Sequence, residues 1–187
     1  MARRILRFDA PDRFIAGAIG EPGKRVFHLQ ATEGGRISAV IVEKSQVAIL
    51  ARRIAEMLND LGEGGEIGLP TAGSPLPPTA PTLTEPLNAE FRVGTIALAW
   101  DPAVNRLILE FRDDMNEEDA SDAPPPMNDA PDGPDVLRVS LSPAAALTFA
   151  ELGYETAHHG QGQWNGVAIL SKVGLTDVVS NFAPGTG

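Results

Sequence analysis

The chain contains no cysteine in its 187 residues. That absence removes disulfides, thiolate nucleophiles and thiolate metal ligands together. No apolar run approaches the roughly 20 residues that a membrane-spanning helix needs, so no membrane partner is expected. Met1 to Arg7 carries positive charge, but Arg7, Asp9 and Asp12 interrupt the apolar stretch of a secretory leader. The expected setting is a soluble, cytoplasmic one. Clustered Lys and Arg, on which nucleic-acid binding runs, are also missing. The net charge is −10, yet nine of the acids fall in residues 113–135 without one Lys or Arg, so the remainder carries −1. No nucleic-acid partner is expected of such a body.

Against these absences stands a hydrophobic content of 43%, enough for one core. A chain of this length buries roughly two-thirds of its unfolded surface. Ile5–Phe8 and Arg13–Ile19 read as strands, and Glu21-Pro-Gly-Lys24 as a turn. Arg25–Ala31 and Arg36–Glu43 flank Gly34-Gly35 and read as a hairpin. Val47, Leu50, Ile54, Met57, Leu58 and Leu61 recur at helical spacing from Ser45 to about Leu61, and Gly62 is a fitting stop. Residues 62–88 are dominated by Gly and Pro and read as a linker. Phe91–Trp100 and Arg106–Phe111 read as a second hairpin, followed by the acidic run 113–135 as a solvated loop. Val136–Leu141 reads as a strand, and Ser142–Ala150 as a helix with Ser142 at its N-cap and Pro143 in its first turn. Each helix follows a strand directly and opens at a Ser, which raises an internal duplication of strands-then-helix. The expected fold class is α+β, an antiparallel sheet built from hairpins with two helices packed on one face.

No constellation of catalytic residues stands out. Ala18-Ile-Gly-Glu-Pro-Gly-Lys-Arg25 approaches a phosphate-binding loop in spelling, but Ala18 replaces the first Gly and Arg25 the magnesium-binding hydroxyl. Pro22 also removes an amide. His158 and His159 are adjacent and diverge on either a helix or a strand. His28 reads as a residue of a polar strand face. The run from Asp114 lacks the Gly that a calcium loop needs at its sixth position, where Asp119 stands. Capping explains Ser142 better than nucleophilic catalysis. No catalytic residue, metal site or cofactor is expected.

Five phrases carry a resemblance: Arg13-Phe-Ile-Ala-Gly-Ala-Ile-Gly-Glu-Pro-Gly23, Phe27-His-Leu-Gln-Ala31, Val42-Glu-Lys-Ser-Gln-Val47, Ala89-Glu-Phe-Arg-Val-Gly-Thr-Ile-Ala-Leu-Ala-Trp-Asp101 and Val139-Ser-Leu-Ser-Pro-Ala-Ala145. Over residues 1–150 the chain resembles the actinobacterial domain of unknown function 3090 family, often called repeat proteins. The family has no established activity. Its genes often lie near phosphatase-like and lipid-kinase-like proteins, which implies association at most. Its members normally end in a Cys-rich tail resembling a zinc knuckle, and the metal site so implied is absent from this cysteine-free chain.

Residues 151–182 look like something else. Leu152-Gly-Tyr-Glu155, His158-His-Gly-Gln161 and Gly166-Val-Ala-Ile-Leu-Ser-Lys172 are similar to an internal stretch of the exonuclease III family. The metal-binding carboxylates and Asp/His pair of that fold are not here, so the resemblance implies no nuclease. Two parts are therefore expected: an α+β domain over 1–150, and a fragment over 151–187 that is no independent domain. The expected function is a non-enzymatic binding or scaffolding module, with another protein as the partner. The alternative is an enzyme or accessory factor in phosphate-ester chemistry, or an inactive remnant of a repair nuclease. Arg13, Arg92 and Trp100 mark the candidate ligand surface, with Arg92 also open to pairing with Glu90 or Glu43.

Overall fold

The computed structural model describes residues 2–65, 82–113 and 127–158. Its elements run β1 (Ile5–Phe8), β2 (Arg13–Ile19), β3 (Val26–Glu33), β4 (Arg36–Val42), α1 (Lys44–Glu63), β5 (Ala89–Arg92), β6 (Thr95–Asp101), β7 (Arg106–Arg112), β8 (Val136–Leu141) and α2 (Pro143–His158). The fold is α+β. The strands divide between two four-stranded sheets, ordered β2-β3-β4-β5 and β1-β8-β7-β6. Each sheet is a three-stranded antiparallel meander with a fourth strand added in parallel, β5 beside β4 and β1 beside β8.

The two halves of the chain share one plan. Four strands and a helix are followed by four strands and a helix, and adding four to each strand number, with β1 following β8, converts one sheet order into the other. The first strand of each half leaves its own sheet and joins the last strand of the other half. The run Phe91–Trp100, expected as one strand, breaks at Val93 and Gly94, where the chain passes between sheets. Val93 N–H donates to Ile41 at 2.9 Å and Gly94 N–H to Arg112 at 2.9 Å, one bond to each sheet. Asp12, between β1 and β2, makes the bond matching that of Gly94, its N–H donating to Thr32 at 2.8 Å.

Period-two alternation then sorts the side chains. Phe14, Leu29, Val40, Leu98, Leu109 and Val139 face inward and join Leu50, Ile54 and Phe149 of the helices in one buried cluster. Phe14 stacks on Phe149 with ring centroids 4.6 Å apart and meets Phe111 at 6.0 Å, so one ring joins both sheets and α2. The helices touch where Gly153 lies, since a Cβ there would stand 3.6 Å from Ala51 and 3.7 Å from Val47.

Local chemistry fixes the ends. Helix α1 is capped at Glu43 instead of opening at Ser45: the Gln46 side chain turns back and accepts from Glu43 N–H at 2.8 Å. Ser142 caps α2 as expected, accepting from Ala145 N–H at 3.2 Å. The phosphate-loop-like phrase forms the β2–β3 turn, closed by Lys24 N–H to Glu21 at 2.9 Å, with Gly20 and Gly23 at positive φ. Helix α2 runs unbroken from Pro143 to His158, past the point after Ala150 where the two resemblances meet. Residues 159–187, including His159 and most of the exonuclease-like stretch, lie outside the described residues, as do 66–81 and 114–126. No described helix is long and apolar enough to cross a membrane.

Candidate functional site

On β7 the inward residues are Leu107, Leu109 and Phe111, and the outward ones include Glu110 and Arg112. Sheet register sets Glu110 opposite Arg138 of β8, and Arg138 opposite Arg7 of β1. Glu110, with a side chain 0% exposed, is the centre of the group. Its Oε1 accepts from Arg112 Nε at 2.8 Å, and its Oε2 accepts from Arg138 Nε at 2.8 Å with Arg138 Nη2 at 2.7 Å. Arg3 Nη2 stands 4.0 Å from Oε1.

The later part of the acidic run is not a free loop. Arg3 donates Nε to Pro134 O at 2.8 Å and Nη1 to Asn128 Oδ1 at 3.0 Å and Ala130 O at 3.2 Å. Asp129 accepts from Arg138 Nη1 at 2.6 Å and also pairs with Arg7. Asp135 accepts from Arg4 backbone N–H at 2.8 Å and Arg4 Nε at 2.7 Å. Acids expected to meet only water are thus fastened to arginines at the start of the chain and on β8. The Arg138 hydrogen bond holds Asp129 below the usual carboxylate range. At Asp135 burial pulls the pKa upward, but the bonds from Arg4 outweigh it and the net direction is down. Burial likewise opposes the charge of Arg138, and its bonds to Asp129 and Glu110 raise its pKa all the same.

Four guanidinium groups (Arg3, Arg7, Arg112, Arg138) therefore share two carboxylates (Glu110, Asp129). Arg112 is 2% exposed, and its Nη1 is buried without a hydrogen-bond partner among the described residues. Burying charge is expensive unless every group is paired.

At the three matching positions the other sheet carries no charge. Leu29 and Leu109 correspond, being paired with Val40 and Val139 respectively, so Gln30 matches Glu110, Thr32 matches Arg112 and Ala39 matches Arg138. There Gln30 clasps the chain before β5: its Oε1 accepts from Thr84 N–H at 2.8 Å and its Nε2 donates to Thr84 O at 2.9 Å. Leu83 presses over Gly17, where an added Cβ would stand 2.7 Å from Leu83 Cγ.

Of the three residues named from the sequence, Arg13 and Arg92 lie on the outward face of the β2-β3-β4-β5 sheet, on its two edge strands, and Trp100 lies in the core. Arg13 donates to the Thr82 carbonyl and reaches Thr84 Oγ1 at 3.5 Å, so it fastens the segment crossing β2 and β3. Arg92, 46% exposed, donates to Glu43 Oε1 at 2.6 Å. Trp100 is 6% exposed on the inward face of β6. His28 is buried on the outward face of β3 with Nδ1 3.2 Å from Val26 O, and burial lowers its pKa against that carbonyl's opposing pull. Glu110, Arg112 and Arg138 escaped the sequence reading because outward polar residues on a strand normally meet water. Their one signal was two opposite charges on adjacent strands of like alternation.

Among the described residues no three His, Asp or Glu side chains are grouped to hold a metal. No curated protein and no solved structure matches the chain. Residues 6–163 match the model of the family described as Protein of unknown function (DUF3090), a span that takes in the whole of α2, and the chain belongs to that family.

Proposed function

We propose that the protein is a non-enzymatic binding module whose recognition surface is the outward face of β7, β8 and β1. One observation carries this. The same four-stranded plan is built twice, once with Gln30, Thr32 and Ala39 and once with Glu110, Arg112 and Arg138 at the matching positions. The plan itself does not require those charges. Charge retained at a costly position without an architectural need is a mark of function. Arg7, 44% exposed on this face and held through Asp129 by Arg138, presents a guanidinium group that suits an acidic partner surface.

The test is a complex recovered in fixed stoichiometry from native lysate by the full chain. It is compared with the triple variant E110Q/R112T/R138A, which carries the residues of the other half. Loss of the complex from a folded variant supports the surface. Retention of the complex, or catalytic turnover by the purified chain, contradicts the proposal.

A further inference from the structure

We infer that the end of the β2–β3 hairpin is a second docking surface, which takes an acidic segment of a partner protein across Ile19 and Val26. The two side chains stand opposite each other in the last pair of the hairpin, on the outward face of the sheet. They are 42% and 40% exposed, two of the four large apolar side chains that the described residues leave open to water. The plan of the fold does not require them. Ala16 pairs with Leu29 as Leu98 pairs with Leu109, so Ile19 and Val26 match Asp101 and Arg106 of the other sheet. That pair is polar and tied down: Asp101 Oδ1 accepts from Ala103 N–H at 3.0 Å, and Arg106 donates Nε to Ser140 Oγ at 2.8 Å and Nη2 to Ser140 O at 2.7 Å. An apolar pair kept in water where the twin position is polar marks a contact surface. The same face already carries a crossing segment one row away, with Leu83 over Gly17 and Thr84 clasped by Gln30. The row of Ile19 and Val26 continues that face beyond the crossing chain.

Charge selects the partner. Lys24 and Arg25 are exposed, enter no ion pair among the described residues, and outnumber Glu21, the one acid of the turn. Glu43, which follows β4, is already paired with Arg92 at 2.6 Å. The excess of positive charge complements an acidic segment. A lipid surface fits less well: the apolar pair lies behind the turn on one side of the hairpin, and Glu21-Pro22-Gly23-Lys24 offers a bilayer no large apolar side chain.

A displayed library of short random peptides, selected on the full chain, tests this. Synthetic peptides of the selected sequences are titrated into wild type, K24E/R25E and I19T/V26T, with backbone amide signals followed by NMR. Both double variants change exposed side chains only, and unchanged signals from β6, β7 and β8 report an intact fold. The expected result is a set of sequences rich in Asp and Glu that shift Ile19 and Val26 saturably and bind each variant about tenfold more weakly. No selected sequence, sequences without an acidic excess, or binding that both variants keep overturns the inference. Binding lost in E110Q/R112T/R138A but kept in K24E/R25E belongs to the face of β7, β8 and β1 and also overturns it. Two further outcomes overturn it in favour of another occupant. Sedimentation with phosphatidylserine vesicles, abolished by K24E/R25E and unaccompanied by peptide binding, assigns the hairpin to a lipid surface. Concentration-dependent shifts of Ile19 and Val26 without peptide assign it to a second copy of the chain.

Discussion

Gln30 and Glu110 occupy the same place in two copies of one plan: Gln30 holds chain that crosses the outside of its sheet, and Glu110 holds Arg138, which binds such chain at Asn128 and Asp129. Gln30 holds the backbone of Thr84 with a neutral amide. Glu110 holds Arg112 and Arg138 with a carboxylate. The difference sets their tolerance to change.

Glu110→Gln keeps the shape and removes the charge that three arginines share. Breaking a buried ionic group by removing one partner costs about 3–5 kcal/mol. Denaturant unfolding of E110Q is expected to show a loss in that range. A loss below about 1 kcal/mol would mean that the arginines find other partners.

Gly17 is required by space, not by backbone conformation. A Cβ at this position would stand 2.7 Å from Leu83 Cγ. Overpacking costs about 1–3 kcal/mol, which exceeds the usual gain of roughly 0.5–1 kcal/mol from replacing a strand glycine by alanine. G17A is expected to lower the urea midpoint, and L83A in the same chain to recover part of the loss. Strictly additive losses would contradict the contact.

Stability is expected to fall with pH in two stages. The pKa of His28 is lowered in the folded chain, by burial against the pull of the Val26 carbonyl, so the unfolded chain takes up that proton first. The stability it contributes is present above the usual histidine range and declines as pH falls through about 6.5. Asp129, held down by Arg138, and Asp135, held down by Arg4 against its own burial, act in the same direction at lower pH. Their contribution is lost as pH falls below about 4. Thermal midpoints from pH 8 to pH 3 check this, with H28Q expected to remove the first decline. A midpoint that rises between pH 7 and pH 5 would contradict it.

Trp100 and Arg92, paired as candidates on sequence grounds, are expected to separate under mutation. Trp100→Ala removes a core side chain and should cost about 3–5 kcal/mol. Arg92→Ala breaks an exposed pair with Glu43 and should change stability by about 0–1 kcal/mol. Chemical denaturation of both variants decides, and equal effects would contradict the burial of Trp100.

Element by element, much of this was legible. The alternation of Arg13–Ile19 and Arg106–Phe111, the spacing of Val47, Leu50 and Ile54, and the Ser142-Pro143 start all register local backbone preference. The crossing at Val93-Gly94 was not legible, because both sides of it read as strand and only the pairing partner changes. Nor was the site. Glu110 and Arg138 lie beneath Arg3, from the start of the chain, and the Asn128–Asp129 stretch, which meet over them.

The measurement that tests the account most directly is the unfolding free energy of E110M/R112M/R138M, which replaces the buried ionic group by apolar side chains of similar length. Replacing a buried ionic group as a unit is neutral or stabilising by about 1–4 kcal/mol when packing is kept. The account predicts a folded variant at least as stable as wild type, with its binding gone. A loss of about 3 kcal/mol or more would show that the charges hold the fold together, and the claim that they serve recognition would fail.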